Sequence, residues 1–496
     1  MHRALHICEI LLEIFAHVNK IQGRSYREDV FARRCVAALA TTCKTFYEPA
    51  MNELWADMYG LIPLLGCVTR LYPMIYCGEK GYCRFNPPYF RGIEPLSENE
   101  GRQFLRHAAR VRSMHIGLQD DYFHLLPVLA CTVPCMFPRL LSLSIPHAIR
   151  YSDIFLSPTL RRCSLEVTYP DLKVITTRCA ALESINLHDP NEETADGRSL
   201  LSDSLRLCKR LVTLSCPPLN LTAWEHLSNL PTLLKVTLCG GMIDPFPLHL
   251  NNNISFGPFL NLTTLCLDVA TDTYVTALMQ HSEFPSLKMF SMSVWHFSWA
   301  EVERLVRVLS QCKACQTLEH IGMRCSRSSG VHNPPGSSLT ITHFRCFTQL
   351  RILRLDIPLC CIHLDNDIFL EAMSSWPHLR RLELEDNRQT RGTITFRGLF
   401  AALRQCPHLR RLELWIDAVN IDVDPTAESF QHTSLQEWHV ESAQVMDAEV
   451  VARIIFSMLP CVHRLYHKHM SMNGDPPYAW PGVQRRLDHL RSSAVP

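Results

Sequence analysis

The chain has 496 residues, of which 47% are hydrophobic and 20% are charged, and its formal net charge at pH 7 is +1. A net charge this close to zero gives no reason to expect nucleic acid or an anionic membrane surface as a partner. No run of about 18 or more apolar residues occurs, so the sequence predicts no helix that spans a bilayer. By length alone, the chain would contain about three globular domains.

The N-terminal segment, residues 4–15, is apolar enough to be mistaken for a secretion signal. Glu9 and Glu13 interrupt the apolar run, however, and no small-residue cleavage site follows it. Without a secretion signal, the 22 cysteines of this long chain are expected to be reduced thiols. We therefore expect a cytoplasmic or nuclear protein.

The first unit of the chain, residues 1–59, contains three segments whose apolar residues recur at helical spacing. The sequence predicts helices over residues 5–18, 31–45 and 48–58. Three helices this short are only marginally stable by themselves.

The second unit, residues 60–136, is predicted to be a linker and an N-terminal cap. Several prolines interrupt its first half and are expected to stop helices there. A helix is then predicted over residues 97–109, because Ser97 can serve as its N-cap and Glu100 follows three residues later. Residues 111–116 are predicted to form a degenerate first strand.

From residue 137 to residue 470, one phrase recurs: an apolar residue, two variable residues, an apolar residue, one variable residue and an apolar residue. It is clearest at residues 379–384 and 409–414, which both read Leu-Arg-Arg-Leu-Glu-Leu. Looser copies begin at Leu140, Leu160, Leu182, Leu211, Leu233, Leu262, Leu287, Leu318, Leu350, Leu435 and Val462. Successive copies start 20 to 32 residues apart, which is the period of a solenoid.

Each repeat is predicted to be a short strand that carries the phrase, followed by a turn and a return segment. Strand alternation points the apolar positions into the stack and the variable positions to solvent. Helical returns are predicted over residues 299–312, 367–375, 396–405 and 448–458, and loops over residues 240–257 and 326–338. The predicted fold is therefore α/β: parallel strands line the concave face of an irregular solenoid, and helices and loops form its convex face. Residues 471–496 are predicted to be a C-terminal cap or tail.

The first unit resembles an F-box, whose pattern has an apolar-Pro-Glu-apolar start, a Cys-Lys-x-aromatic stretch and a later Leu-Trp. The chain departs from this pattern at Cys8, where the family has proline. The matching residues are Ile7, Glu9, Ile10, Leu11, Ile14, Phe15, Leu39, Cys43, Lys44, Phe46, Pro49, Ala50, Leu54 and Trp55. Together with the repeats, the chain looks like an F-box/leucine-rich-repeat protein. Phe-Pro-x-Leu and Cys-Pro-x-Leu before the strands, and Ala-Arg-Val-Arg-Ser from Ala109, are similar to the large F-box families of mushroom-forming fungi.

This resemblance implies a non-enzymatic substrate receptor. The F-box, residues 1–59, would dock a Skp-family adaptor and through it the cullin of an SCF-type (cullin-RING) ubiquitin ligase, and the solenoid, residues 137–470, would bind a protein substrate. Expected adaptor contacts are Ile7, Cys8, Glu9, Ile10, Leu11, Ile14, Phe15, Leu39, Cys43, Lys44, Phe46, Pro49, Leu54 and Trp55. Two alternatives stay open: a helical cap that only shields the first repeat, and a ligase-independent scaffold in which Cys8 marks a decayed docking site.

The residues themselves also predict a partner for the first unit. The apolar residues of the first helix provide more apolar surface than three short helices can hide among themselves. Apolar area left exposed in this way favours association with another protein. The side chains concerned are Ile7, Ile10, Leu11, Ile14 and Phe15.

A charged face on the solenoid is the predicted surface for substrate. The alternation rule exposes Arg354, Asp356, Arg381, Glu383, Glu385, Arg411, Glu413, Trp415, Glu437 and His439. Alignment of the repeats places Glu383 beside Glu413 and Arg381 beside Arg411, and like charges side by side are unfavourable without a partner. Trp415 is expected to be an exposed anchor among them. The alternative is an ordinary solvated surface, with the carboxylates pointing outward.

The remaining chemical motifs do not predict a catalytic or metal site. Cys312 and Cys315 have the spacing of a zinc pair, but no second pair follows, and Cys315 is expected at a buried repeat position. Three histidines near the end of the repeats, His463, His467 and His469, are divided between a strand and a turn. No Gly-x-Ser-x-Gly, phosphate-binding glycine loop or His-Glu-x-x-His occurs. We therefore expect no metal, no cofactor and no enzyme activity.

Overall fold

The computed structural model divides into two compact units, Met1–Pro217 and Pro218–Pro496, which are described separately. The residues that it describes are 7–20, 26–76, 92–117, 123–133, 135–145, 152–166, 169–188, 195–240, 256–295, 299–325, 338–339, 341–357, 361–362, 364–385, 393–424, 426–427, 429–440, 445–467 and 480–494.

Three helices open the first unit, as the sequence predicts: α1 (Cys8–Lys20), α2 (Tyr26–Ala40) and α3 (Lys44–Leu54). Their shared core consists of Leu11, Phe15, Val36, Ala40 and Ala50. The third helix begins and ends earlier than the predicted residues 48–58. Its end is displaced because the residues that follow it adopt extended backbone and enter a sheet.

That extended segment is β1 (Asp57–Tyr59), which pairs in parallel with β2 (Ser113–His115). The predicted first strand, residues 111–116, is therefore the second strand of the sheet. β1 is only three residues long and buries only Met58, so no copy of the repeat phrase marks it in the sequence. The last residues of the predicted helical unit, residues 1–59, belong to the sheet.

The remainder of the first unit alternates short helices and parallel strands. Its predicted capped helix is confirmed: Ser97 Oγ accepts from the Glu100 amide, and the Glu100 side chain accepts from the Ser97 amide. The helices are α4 (Ile62–Leu65), α5 (Tyr72–Tyr76), α6 (Glu98–Ala108), α7 (Pro127–Thr132), α8 (Tyr169–Arg178) and α9 (Ala195–Leu205), and the strands are β3 (Ser142–Ile145), β4 (Arg162–Glu166), β5 (Ser184–His188) and β6 (Thr213–Cys216).

The second unit continues the alternation with a longer run of strands. The strands are β7 (Lys235–Leu238), β8 (Thr264–Val269), β9 (Met289–Val294), β10 (His320–Cys325), β11 (Ser338–Leu339), β12 (Ile352–Asp356), β13 (Cys361–Ile362), β14 (Arg381–Glu385), β15 (Arg411–Glu413), β16 (Glu437–Val440) and β17 (Arg464–His467). The helices are α10 (Leu221–Ser228), α11 (Asp272–His281), α12 (Trp299–Gln311), α13 (Asn366–Ser374), α14 (Phe396–Leu403), α15 (Ala448–Met458) and α16 (Trp480–Ala494). Within this unit, all strands except β11 and β13 form one parallel sheet in chain order, and those two pair with each other.

Every copy of the repeat phrase becomes a strand that starts two residues after the first apolar residue of the copy. In β14, for example, Leu379, Leu382 and Leu384 are buried, and Arg381 and Glu383 lie on the other face of the strand. The packing energy of each repeat therefore comes from the phrase itself, because its apolar residues meet those of the neighbouring repeats. The predicted fold class, an α/β leucine-rich-repeat solenoid with parallel strands on one face, is confirmed.

The four predicted helical returns are confirmed as α12, α13, α14 and α15, with boundaries that agree within two residues at each end. The predicted loops over residues 240–257 and 326–338 lie mostly outside the described residues. Where returns are short, they form single 3-10 turns, as at Ser152–Phe155 and Ile341–Phe344.

The C-terminal helix α16 packs on the last repeat, as expected of a cap. Val483 and Leu487 are buried, and Trp480 packs edge-to-face against Trp438 of β16 with ring centroids 6.1 Å apart. The Gln484 side chain accepts a hydrogen bond from the backbone N–H of Leu465 in β17. Residues 468–479, which precede α16, lie outside the described residues.

Many cysteines occupy the buried position three residues before the phrase, as the repeat predicts. Burial raises the pKa of Cys208 and of Cys406 to about 12, so both thiols stay neutral. The Cys406 thiol donates to the carbonyl oxygens of Met373 and Trp376. Cys315 differs from the expectation: it is only partly buried, because Ala314 takes the core position in that turn.

Candidate binding surfaces

The first predicted surface lies on α1, which has one buried and one exposed apolar side. Leu11 and Phe15 are 1% and 2% exposed, whereas Ile7, Ile10 and Ile14 are 47%, 37% and 39% exposed. Residues three and seven positions apart lie on the same side of a helix, so the three isoleucines form one stripe. We call Ile7, Ile10 and Ile14 the isoleucine stripe.

The burial of Leu11 and Phe15 corrects their expected role as surface contacts. Phe15 packs edge-to-face against Phe46 of α3, with ring centroids 5.6 Å apart. Both side chains hold α1 on the other two helices, so neither offers apolar area to a partner. Helical spacing identifies the apolar side of α1, but that side is wider than the groove between α2 and α3, and the remainder faces solvent.

The other predicted adaptor contacts on α2 and α3 differ in exposure. Lys44 on α3 and Glu9 on α1 are exposed. Leu39, Phe46 and Leu54 are partly buried against the three-helix core, Cys43 is partly buried at the N-cap of α3, and Pro49 is buried within α3. Cys8 is the first residue of α1, and its side chain lies outside the described part of the chain.

Trp55, also predicted to contact the adaptor, belongs to the junction between α3 and α6. Its ring stacks on His107, with centroids 4.5 Å apart. Nearby, Arg110 Nη1 lies 2.8 Å from Glu48 Oε2 and donates to Asn52 Oδ1 at 2.6 Å. Burial lowers the pKa of His107, and Arg106 and Arg110 lower it further. The junction therefore fixes α3 to the rest of the first unit, and Trp55 is partly covered there.

The second predicted surface is the charged face of β12, β14, β15 and β16. The predicted register is confirmed, since Glu383 pairs with Glu413 and Arg381 with Arg411. In addition, Arg354 of β12 pairs with Glu383. His439 continues the glutamate row in β16. Like charges do stand side by side in this sheet, as the repeats predict.

The partners of these like charges come from the chain itself and centre on Glu383. Arg381 donates to the Glu383 carboxylate from Nε at 2.8 Å, and Nη2 lies 2.6 Å from it. Arg411 Nε lies 2.5 Å from the same carboxylate, and Arg354 Nε lies 3.4 Å away. We call Arg354, Arg381, Arg411 and Glu383 the arginine cluster.

The cluster corrects the expectation that the carboxylates point outward into solvent. Glu383 is 3% exposed and Glu413 is 7% exposed, because the long side chains of the neighbouring arginines cover them. The three arginines themselves remain partly exposed. What this face offers a partner is therefore mainly guanidinium, with the two carboxylates beneath.

The ion pairs continue on both sides of the cluster. Arg411 Nη1 donates to Glu437 at 2.9 Å, and His439 Nδ1 lies 3.9 Å from Glu413. The His439 ring stacks on Tyr466 of β17, with centroids 4.5 Å apart. On the other side, Arg324 of β10 donates to Asp356 at 3.0 Å.

Two predicted substrate contacts do not take the expected place. Trp415 follows the end of β15 and is partly buried, so the predicted exposed tryptophan anchor is wrong. β15 ends at Glu413, but the alternation of burial continues beyond it: Leu414 and Ile416 are buried, and Trp415 between them is only partly exposed. Glu385 is the last residue of β14, and its side chain lies outside the described residues.

A neighbouring part of the face was not predicted from the sequence. Ser291, Gly322 and Arg354 lie in one row across β9, β10 and β12, and His320 lies one row away on β10. Gly322 is buried, and a Cβ placed on it would lie 3.2 Å from Ser291 Oγ, so the glycine allows the Ser291 side chain to lie close to β10. In the sequence, this part of the face is marked only by a glycine at a variable position of the repeat phrase. The predicted surface was defined by charged residues and therefore did not include it.

Neither a metal cluster nor a membrane helix was found within the described parts of the chain. There, no three His, Cys, Asp or Glu side chains are grouped closely enough to hold a metal ion. His463 is exposed, the side chain of His467 is not among those described, and His469 lies outside the described residues. No helix in the described ranges has both the length and the apolar character that crossing a bilayer requires.

No protein-family model matches the chain, and no curated protein matches it in sequence. Among solved structures, it is similar to an internalin (inlF) of Listeria monocytogenes, at 11% identity and a TM-score of 0.36, covering 77% of this chain and 87% of that one. It is also similar to Rad7 in the yeast Rad7–Elc1 complex, at 12% identity and a TM-score of 0.32, covering 79% and 90%. A third is the TLR13–ssRNA13 complex, at 13% identity and a TM-score of 0.27, where the match covers 79% of this chain but 60% of the other. Likeness at these identities concerns the fold alone.

Proposed function

We propose that the chain is the substrate-recognition subunit of an SCF-type cullin-RING ubiquitin ligase. The N-terminal helices would dock a Skp-family adaptor, and the charged strand face would bind the protein to be ubiquitinated. The chain would be non-enzymatic and would act in the cytoplasm or nucleus, with the transfer of ubiquitin supplied by other subunits of the ligase.

The observation that carries this proposal is the isoleucine stripe. It lies on a helix, α1, whose residues Leu11 and Phe15 are already buried against α2 and α3. A helix held in place by Leu11 and Phe15 does not need Ile7, Ile10 and Ile14 for its own packing. Completing the burial of these three side chains would contribute on the order of 2–4 kcal/mol. Association costs at least about 4 kcal/mol, so polar and partly buried residues such as Lys44 and Leu39 would have to add to the interface.

Co-purification with a Skp-family adaptor tests the docking role. We expect the wild-type chain to capture the adaptor and the double variant Ile10→Asp, Ile14→Asp to lose it, because both side chains are exposed and their replacement leaves the core intact. Phe15→Asp is unsuitable, since it would place a charge in the core. Val174→Asp, at an exposed apolar position on α8, is the matched control and should retain the adaptor.

The docking role would be rejected if wild type captured no adaptor, or if the stripe variant captured as much as the control. Thermal melts of both variants should match wild type. A stripe variant that melted early would instead place the three isoleucines in a contact that stabilises the chain itself.

The strand face supplies the proposed substrate surface. Arg354, Arg381 and Arg411 are partly exposed and are oriented by the buried Glu383, so they would contact the substrate directly. His439, with Asp356 on the other side of the cluster, would complete the polar part of this surface, and Glu413 would act from beneath it. The roles of Glu385 and Trp415 stay as predictions from the sequence.

A ligase-independent scaffold is the second candidate, and the residue that favours it is Cys8. The family has proline at this position, where α1 begins. Proline fits the first turn of a helix, because the N–H that it lacks would have no helical partner there. If α1 is a decayed docking site, Cys8→Pro should gain adaptor binding that wild type lacks; binding by wild type itself rejects this candidate.

A further inference from the structure

The residues that immediately precede the strands form a row of their own beside the charged face. In three consecutive repeats this residue is an exposed arginine: Arg351 before β12, Arg380 before β14 and Arg410 before β15. Their backbones are joined directly, since the Arg380 N–H donates to the Arg351 carbonyl at 2.7 Å and the Arg410 N–H donates to the Arg380 carbonyl at 2.8 Å. Neighbouring strands lie about 4.8 Å apart, so the three side chains start one strand spacing from each other. We call Arg351, Arg380 and Arg410 the strand-entry row.

In other repeats, the same position carries opposite charges on neighbouring strands. Lys288 precedes β9 and Glu319 precedes β10, and Lys288 Nζ lies 3.3 Å from Glu319 Oε1. Glu319 also pairs with Arg351, whose Nε lies 3.1 Å from Oε2. Within the first unit, Arg161 before β4 pairs with Glu183 before β5 at 3.2 Å. Opposite charges on adjacent strands attract each other, so these residues are neutralised by the chain itself.

Arg380 and Arg410 have no such counter-charge. Neither guanidinium makes an ion pair or a hydrogen bond with another of the described residues. The next residues in the chain, Arg381 and Arg411, differ in this respect, because each donates to a glutamate side chain. Like charges on adjacent strands repel each other. A carboxylate supplied by another molecule would remove this repulsion.

Exposed histidines accompany both of these arginines. Residues 377–384 and 407–414 have the same sequence, Pro-His-Leu-Arg-Arg-Leu-Glu-Leu, which places His378 and His408 two residues before Arg380 and Arg410. Both imidazoles are exposed and have no partner within the described part of the chain. An imidazole N–H can donate a hydrogen bond to a carboxylate. The glutamate of each segment is buried, so the exposed groups at the start of these two strands are hydrogen-bond donors.

We propose that the strand-entry row binds an acidic segment of a protein partner, in which aspartates or glutamates recur over a few neighbouring residues. Each carboxylate can accept two parallel hydrogen bonds from one guanidinium. Guanidinium groups that stand one per strand suit several single charges in succession, over a row about 10 Å long. Identification of that partner as the ligase substrate rests on the proposed function, but the binding of an acidic segment does not.

A nucleic acid fits the strand-entry row less well than an acidic peptide does. Proteins that bind single-stranded nucleic acid stack the bases on exposed aromatic rings. The aromatic residues in the turns before β12 and β14, Phe347 and Trp376, are fully buried, and the turn before β15 has Cys406 at the equivalent position. The row therefore offers charge without a surface for bases.

The test is fluorescence anisotropy with the purified full-length chain in about 50 mM NaCl, where exposed charges are weakly screened. The probes are fluorescein-labelled pools of degenerate nonapeptides whose three central residues are all glutamate or all glutamine. Exposed ion pairs contribute little singly, so we expect the glutamate pool to bind about fivefold more tightly than the glutamine pool. The difference should shrink in about 300 mM NaCl, because the salt screens the arginines.

A double variant removes the two arginines that have no counter-charge. Arg380→Gln with Arg410→Gln should weaken the glutamate pool about fivefold, to the affinity of the glutamine pool. The matched control is Arg307→Gln with Arg453→Gln, which removes the same charge from exposed positions on α12 and α15 and should bind like wild type. Thermal melts identify a misfolded double variant; the two single variants then decide, and each should weaken the glutamate pool about twofold.

Several results would overturn the proposal. Equal binding of the glutamate and glutamine pools removes the preference for acid, and equal weakening in the two double variants shows an effect of net charge without a site. A loss in Arg354→Gln that Arg380→Gln with Arg410→Gln does not share places the peptide on the arginine cluster instead. Tighter binding of a labelled degenerate single-stranded RNA, lost in the strand-entry variant, shows a nucleic-acid site. The adaptor is absent from this experiment, so its outcome is independent of whether the isoleucine stripe docks the adaptor.

Discussion

Replacing Glu383 by glutamine tests whether the arginine cluster stabilises the second unit. Glutamine has nearly the size of glutamate, so the change removes the charge without leaving a cavity. It also turns an acceptor into a donor against Arg381, whose Nη2 lies 2.6 Å from the carboxylate, and Arg411, whose Nε lies 2.5 Å from it. Arg381 would then lose the carboxylate that it pairs with, whereas Arg411 would keep Glu437 at 2.9 Å and Arg354 would keep Asp356 at 4.0 Å.

The magnitude follows from burial. Removing one partner of a buried ion pair costs about 3–5 kcal/mol, because the other charge remains buried and unpaired. Here Glu383 is buried, but the side chains of Arg354, Arg381 and Arg411 are 40%, 36% and 29% exposed and can turn toward solvent. We therefore expect Glu383→Gln to lower the free energy of unfolding by about 2–3 kcal/mol.

Urea unfolding followed by tryptophan fluorescence measures this change, since Trp376 and Trp438 are fully buried in the same unit. Midpoints should be compared, because repeat arrays can unfold in more than one step. Glu437→Gln is the control: the Glu437 side chain is 45% exposed and pairs with Arg411 at 2.9 Å, so its effect should stay within about 0.5 kcal/mol. The reasoning would be refuted if Glu383→Gln unfolded at the same urea concentration as Glu437→Gln, or at a higher one.

Two further predictions concern the repeats and the first unit. Leu382→Asp places an unpaired charge inside β14 and should unfold several repeats, seen as lost far-UV circular dichroism at 25 °C, whereas Arg380→Asp at an exposed position should not; equal spectra would contradict this. The Arg70 guanidinium, together with the N-cap Ser97, lowers the pKa of Glu100 from 4.5 to about 2. Because that pKa is depressed in the folded state, the stabilisation is present above about pH 4.5 and is lost as the pH falls toward 2. Glu100→Gln should melt at a temperature that changes less over this range, and an unchanged pH profile would rule the effect out.

The repeat phrase made the larger part of the fold predictable. Its three apolar positions have the strand period and are buried in successive repeats, so local pattern and tertiary packing agree at residues such as Leu409, Leu412 and Leu414. β1 could not be found in the same way. Its three residues join the sheet through backbone pairing with β2, and only Met58 contributes an apolar side chain to the interior.

The helices of the first unit were predictable, but the division of α1 into core and surface was not. Ile10 and Leu11 are adjacent in the sequence and equally apolar, yet one is exposed and the other is buried. The difference depends on where α2 and α3 lie against α1, through contacts such as Phe15 with Phe46. Those contacts join residues far apart in the chain, and helical spacing carries no information on them.

On the charged face, too, the sequence predicted the position of each residue but not its burial. The same residues connect the stability of the sheet with the recognition of a partner. Strand alternation placed Glu383 and Glu413 in the correct row, but their burial arises from arginine side chains long enough to reach a neighbouring strand. An arginine fixed in this way loses less conformational freedom when it meets a partner. Arg381 and Arg411 are fixed by hydrogen bonds to Glu383 and Glu437, whereas Arg354 lies 3.4 Å from Glu383 and 4.0 Å from Asp356 and is 40% exposed. Arginines on adjacent strands can therefore contribute differently to the stability of the sheet and to the recognition of a ligand. The difference depends on which carboxylate each arginine side chain reaches.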